Sequence, residues 1–200
     1  MRAALALVDR DGLDALSMRR VARELGVEAM SLYHHVRSKE DLLDGCIEEV
    51  AASLDLGGMR APGPWRERLK AGFTAYRALA RVHPHLFALV GHRPVRSLEV
   101  LRPIEVALGV FADAGFTPAQ SMRAFRIVNS YVYGFTLSEL TGLAVHAAAS
   151  GTPAGDPADF PNLVRALPHA GDSAADDEFE RGLDTVLDGI AAWQGPSAGE

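Results

Sequence analysis

Between Ser17 and Lys39 the chain gathers five cations, Arg19, Arg20, Arg23, Arg37 and Lys39, around the ring side chains Tyr33, His34 and His35. Only Glu24 and Glu28 oppose them, so the stretch carries +3 in a chain whose total is −6, leaving −9 on the remainder. A basic patch with interleaved rings on an acidic protein suits a phosphate backbone, which attracts Lys and Arg, and base edges, which polar and apolar side chains read. The chemistry on offer is recognition of duplex DNA.

Bond-making chemistry finds less support. No GxSxG elbow, P-loop or HExxH occurs. His83, His85 and His92 with Glu105 have the composition of a metal site, and a helical metal-dependent enzyme is the alternative reading from a different class. Yet Pro84 lies between the first two, residues i and i+2 share no helix face, and His-Pro-His reads as the stop of one helix and the start of the next. The single cysteine, Cys46, falls on an apolar stripe and reads as a small buried hydrophobe. Neither a metal nor a cofactor is expected.

The elements that would position the basic cluster are two short helices. Ser17 is an N-cap, and Met18, Val21, Ala22 and Leu25 recur at helical spacing as one buried stripe, giving a helix of about Met18 to Leu25. Gly26 supplies the left-handed residue that ends it, and Val27 the apolar contact that tucks the turn under the core. A second helix, about Ala29 to His35, turns Leu32 and Val36 inward and leaves Met30, Ser31, Tyr33, His34 and His35 outward. Two helices joined at a Gly-containing turn make a helix-turn-helix, whose second helix enters the major groove. A solvated helix pair around a small core fits the same spacing.

Further along, Ser38 and Asp41 approximate a capping box for a longer helix with Leu42, Leu43, Cys46, Ile47, Val50 and Leu54 on its apolar face. Three glycines and two prolines in residues 56–64 break the pattern and mark a boundary between a domain at 1–54 and a larger one at 64–200. Beyond it the expectation is all helix, over about Pro64 to His83, Pro84 to Val90, Val95 to Ala114, Pro118 to Val145, Pro161 to Leu167 and Asp176 to Trp193, with a mobile loop from Ala147 to Asp159. The fold class is all-α. At 200 residues, 48% hydrophobic and 23% charged, the chain can bury a sizeable core. No run approaches a membrane span, and the opening residues read as an ordinary amphipathic helix starting near residue 1, so a cytoplasmic protein is expected.

Two helices carry an association signal. Thr117, Pro118 and Gln120 form a well-capped start, after which IVNSYVYGFTLSEL is apolar on more than one side. The last helix aligns Phe179, Leu183, Val186, Leu187 and Ile190, while Gly182 and Gly189 would admit another backbone. Both helices fit either one subunit's core or a dimer interface.

The stretch LGVEAMSLYHHVRSKEDLLD resembles the DNA-binding domain of the tetracycline-repressor (TetR) family, a likeness that covers about residues 1 to 54. WRERLKAGFTAYRALARVHPHLFALVGHRP, FADAGFTPAQSM and FERGLDTVLDGI are similar to the C-terminal domain of the tetracycline-repressor-like subgroup, in the same order. The resemblance implies DNA contacts from Ser17, Arg19, Ala29, Met30, Ser31, Tyr33, His34, His35 and Lys39. It tips the two association helices toward a homodimer joined as a four-helix bundle, so that paired heads match a palindromic operator. It also implies a small-molecule effector site lined by Tyr76, Phe87, Arg93, Ile104, Phe125, Asn129 and Tyr133. A helical module that binds small molecules and has lost DNA binding is the remaining alternative, and Arg19, Tyr33, His35 and Lys39 argue against it.

Four positions depart from the subgroup pattern. Ala29 and Met30 stand where it has an amide side chain and a proline, which favours contact with thymine methyls over amide readout. Leu89 stands where it has a metal-coordinating His, and Gly72 where it has a drug-binding Asn. A leucine cannot replace an imidazole as a ligand, so the expected effector is a largely apolar molecule other than tetracycline.

Overall fold

The computed structural model describes residues 1–90, 97–141, 156–169 and 174–194. Its helices are α1 (Arg2–Asp11), α2 (Met18–Leu25), α3 (Ala29–Tyr33), α4 (Lys39–Ala52), α5 (Gly57–Arg60), α6 (Trp65–Val82), α7 (Pro84–Val90), α8 (Arg102–Asp113), α9 (Pro118–Thr141), α10 (Pro161–Ala166) and α11 (Ala175–Ala191), with short 3₁₀ turns such as Leu13–Ala15 and Leu98–Leu101. The fold is all-α, and no strand occurs among the described residues. No described helix is long and apolar enough to cross a membrane. Two compact units divide the chain, Met1–Ser121 and Met122–Glu200.

The first unit opens with a three-helix head. The α1 residues Ala4, Leu7 and Val8 meet Leu16, Met18 and Val21 around α2 and Leu42, Leu43 and Cys46 of α4 in one buried cluster. Ser17 caps α2, its hydroxyl oxygen accepting the Arg20 N–H at 3.3 Å. Gly26, at φ 67°, ends the helix, and the amides of Gly26 and Val27 donate to the carbonyls of Arg23 and Ala22 at 3.2 and 3.0 Å. Ser38 caps α4 by accepting the Asp41 N–H at 3.1 Å, whereas Asp41 accepts from the Arg37 amide, one residue before the expected partner.

Two expected core residues are on the surface. Leu25 is 50% exposed and Val27 46% exposed. The buried stripe of α2 stops at Val21 and Ala22, and the turn at Gly26 is closed by backbone hydrogen bonds, so it needs no side chain tucked beneath it.

The segment expected only to break helices forms the single turn α5. Gly57 N–H donates to Asp55 at 2.8 Å, and Leu56 and Met59 are buried. Burial of two large side chains outweighs the poor helix propensity of glycine. These glycines permit close packing: a Cβ on Gly58 would meet that of Ala71 on α6 at 2.6 Å, and one on Gly72 would overlap the Met59 side chain. Trp65, Phe111 and Phe116 then join α6 to α8, with ring centroids 5.3 to 5.8 Å apart. Where one helix was expected from Val95, the described part begins with the 3₁₀ turn Leu98–Leu101 before α8.

α9 starts as its sequence demands. Thr117 and Gln120 cap each other reciprocally, the Thr117 amide donating to Gln120 Oε1 at 2.9 Å and the Gln120 amide to Thr117 Oγ1 at 3.3 Å. In the second unit the rings of Tyr131 and Phe135 pack on Phe179 of α11, and the Tyr131 hydroxyl donates to the Phe179 carbonyl at 3.0 Å. Phe179, Leu183, Leu187 and Ile190 are all buried and Val186 half-buried. Gly182 is filled by the Tyr131 phenol of the same chain, so its missing side chain serves an internal contact, while Gly189 faces open space. The loop expected from Ala147 lies outside the described residues except for 156–159, where Pro157–Asp159 forms a 3₁₀ turn.

Cys46 provides a check on this packing. It is fully buried, and burial pushes its thiol up to about 11. Thiolate is the reactive form, so native protein at pH 8 should react with a thiol-disulfide reagent only as fast as the head opens, and at once in denaturant. Rapid stoichiometric reaction of the native protein would contradict the packing of α4 against α1.

Candidate nucleic-acid interface

α3 is attached along one edge only. Leu32 and Val36 pack against the head's core, and no residue of the five-residue helix is buried. The amides of His35 and Val36 both donate to the Leu32 carbonyl at 2.9 Å, so the helix expected to reach His35 ends at Tyr33 and continues as a hydrogen-bonded turn.

The opposite edge is presented outward. Met30 is 70% exposed and Tyr33 49%, with Ser31, His34 and His35 exposed beside them and Ala29 half-buried. Large apolar side chains are ordinarily withdrawn from water, and Leu25 at the end of α2, Val27 in the turn, and Met30 and Tyr33 on α3 are exposed.

Electrostatics separates the cations into two sets. Arg20 donates to Asp11 at 2.6 Å, and Arg10 donates to Asp11 and Glu24 at 3.1 and 2.8 Å. Hydrogen bonding from Arg10 holds the Asp11 carboxyl below its ordinary range, so it stays ionised and keeps Arg20 occupied. Among the described residues, the guanidinium groups of Arg19, Arg23 and Arg37 enter no ion pair, and Arg19 and Arg23 are exposed on α2. The Lys39 ammonium donates to the Leu13 carbonyl at 3.4 Å, which steadies it at the start of α4 with two N–H groups left over. Ser17 serves α2 as its cap, and its hydroxyl hydrogen remains available to an outside acceptor.

The residues assigned to an effector fall in both units. In the first, the Tyr76 and Phe87 rings lie 5.4 Å apart, Phe87 is buried, and Ile104 is half-buried on α8. In the second, Phe125, Asn129 and Tyr133 recur every fourth residue on one half-buried face of α9. Arg93 and His92 lie outside the described residues.

Sequence reasoning missed three residues here. Arg77 of α6 is buried, next to Tyr76, at the helical spacing from Phe73 and Ala80 that marks an inward face. The Thr136 hydroxyl on α9 is fully buried with no hydrogen-bond partner among the described residues, about one turn beyond Tyr133 and two beyond Asn129. Met59 covers Gly72, and only the structure could show that, since the two lie on different helices. Leu89 packs against the head's core, so the two departures in the effector region, Gly72 and Leu89, both meet apolar side chains.

Among the described residues no group of His, Cys, Asp or Glu could hold a metal ion. His83 donates through Nδ1 to Asp9 at 2.9 Å, and exposed His85 lies beside Gly12.

Comparison with known proteins agrees with this geometry. Residues 1–46 match the domain described as "Bacterial regulatory proteins, tetR family", and residues 59–193 that described as "Tetracyclin repressor-like, C-terminal domain". The chain belongs to the TetR family. An HTH-type transcriptional regulator of Saccharopolyspora erythraea is 33% identical over 96% of this chain and 83% of its own length. The class A tetracycline repressor of Escherichia coli, from transposon 1721, is 32% identical over 96% of this chain and 88% of its own length. The crystal structure of the TetR-family protein ActR from Streptomyces coelicolor, in complex with (S)-DNPA, superposes with a TM-score of 0.78 at 26% identity, covering 97% of this chain and 96% of that one. As a TetR-family member the chain is a DNA-binding transcriptional regulator, and α2 and α3 are its helix-turn-helix.

Tyr33→Ala removes a half-exposed ring from the reading surface and should cost about 1–3 kcal/mol of operator affinity. Lys39→Ala should weaken binding on every duplex and lower the slope of log affinity against log salt by about one unit. Fluorescence anisotropy titrations at several salt concentrations check both, and unchanged affinity in the two variants would reject these contacts.

Proposed function

We propose that the chain is a ligand-responsive repressor that binds a palindromic operator as a homodimer and is released by a small-molecule effector. The observation that carries the DNA reading is α3, docked by Leu32 and Val36 and otherwise exposed beside guanidinium groups that enter no ion pair among the described residues, on a protein of net charge −6. A locally basic surface on a protein of net negative charge favours an approach of DNA that leads with that surface. Ser17, Arg19, Ala29, Met30, Ser31, Tyr33, His34, His35 and Lys39 are the proposed contacts. Residues 1–54 form the reading domain in this account, and residues 64–200 the effector and dimerisation domain. The protein works in the cytoplasm, where operator DNA lies.

The dimer reading rests on two helix faces. On α9, Met122 and Ile127 are 45% exposed, and small Ser130, Gly134 and Ser138 are exposed at four-residue spacing. On α11, Gly189 is open and Trp193 is 38% exposed. Two such helices from each subunit supply the apolar faces and close backbone approach of a four-helix bundle.

For the effector, the proposed contacts are Tyr76, Phe87, Arg93, Ile104, Phe125, Asn129 and Tyr133, with Thr136 added as a buried hydroxyl seeking a partner. ActR, a relative of similar structure, has been solved with a small molecule bound. Met59 over Gly72 and Leu89 against the head's core put aliphatic side chains where the subgroup pattern has polar ligands, which favours a largely apolar effector. Release follows when the effector prefers a state whose heads are wrongly spaced, because its differential affinity for the two states is what shifts the equilibrium.

Selection of bound duplexes from random DNA by the purified protein tests this reading. It should enrich an inverted repeat with half-site centres about one helical turn, ~34–36 Å, apart. A strictly monomeric protein that enriches no sequence would overturn it.

A further inference from the structure

His83 forms the corner between α6 and α7. Its amide donates to the Leu79 carbonyl at 3.0 Å and closes α6, and its own carbonyl accepts from the Phe87 amide at 3.0 Å and opens α7. At φ −122° and ψ 56° it is helical in neither direction, and Pro84 behind it holds the break in place. With the backbone fixed on both sides, the imidazole reaches α1, where Nδ1–H donates to both carboxylate oxygens of Asp9 at 2.9 and 3.0 Å. The pair joins residues 74 apart in sequence, and its side chains are 14% and 27% exposed.

This hydrogen bond sits beside an apolar joint. Leu86 of α7, 1% exposed, enters the cluster that holds α1, α2 and α4 together, and Leu89 packs against its edge. The three-helix head is therefore seated on α7 by a shared core. Apolar burial is non-directional, so it holds α7 against the head while resisting rotation weakly. A hydrogen bond to a carboxylate has a preferred line, and this one lies beside the seat.

We propose that Asp9 and His83 are positioning residues that fix the orientation of the reading head on α7, and thereby set the half-site spacing that the protein accepts. The proposal rests on the reading of the chain as a dimer on a palindromic operator. It assigns the pair no contact with DNA. One base pair added between half-sites turns the second by about 36° and moves it about 3.4 Å, which a rigid seat cannot follow and a loosened one can.

The test uses full-length protein and three kinds of duplex: the operator enriched by selection, the same operator with one base pair added or removed between half-sites, and a single half-site. The wild type should lose about tenfold or more in affinity when the spacing changes, the scale of a mismatched base pair. Asp9→Ala and His83→Ala should shrink that loss to about threefold, or about 0.65 kcal/mol, while their half-site affinity stays at the wild-type value. Asp9→Asn keeps an acceptor for the imidazole N–H and should retain the wild-type spacing penalty.

An unchanged penalty in both alanine variants would overturn the proposal. So would an equal fall in half-site affinity, which would make the pair a support of the head's own fold. Wild-type protein with no preference for any half-site would overturn the functional reading and this proposal with it, a failure visible before any variant is compared.

Discussion

The structure depends on the docking of a helix too short to exist alone. Five residues of α3 cannot offset the cost of nucleating a helix in water, so α3 persists because Leu32 and Val36 are packed on the core of α1, α2 and α4. The turn before it is locked at Gly26, and the helix after it is capped at Ser38. Held on one edge and closed at both ends, α3 can leave its other edge uncovered. The surface proposed to read DNA is the remainder after stability has been satisfied elsewhere.

Charge is partitioned on the same principle. Arg10 and Arg20 neutralise Asp11 and Glu24 within the head, so two acids close to the interface do not oppose a phosphate backbone. Arg19, Arg23 and Arg37 remain for an outside partner, and Lys39 is steadied by the Leu13 carbonyl. These exposed ion pairs add little to stability, since solvent screens them. Their consequence is for encounter, where a small positive area on an acidic body steers DNA to one face.

Much of this was legible in the chain. The caps at Ser17, Ser38 and Thr117, the stop at Gly26, and the break at His83 and Pro84 are local chemistry, and local chemistry decides helix ends. The outward set on α3 followed from helical spacing once Leu32 and Val36 were read as inward. Leu25 was misread because periodicity says which side of a helix is apolar without saying how far along it the core extends, and Val27 because the turn at Gly26 is closed by backbone hydrogen bonds alone. The fit of Met59 over Gly72, the Tyr131 phenol at Gly182 and the reach of His83 to Asp9 join residues on different helices, and no spacing rule encodes such pairs. Family resemblance carried the assignment of contacts further than spacing alone, because many helix pairs carry arginines.

Hydroxyl-radical footprinting of side chains in the presence and absence of operator duplex tests the central claim most directly. Met30 and Tyr33, at 70% and 49% exposed, should be oxidised in the free protein and protected in the complex. Buried Met59 should stay unreactive in both. Unchanged oxidation of Met30 and Tyr33 in a saturated complex would contradict the account, because DNA would then be held by some other surface.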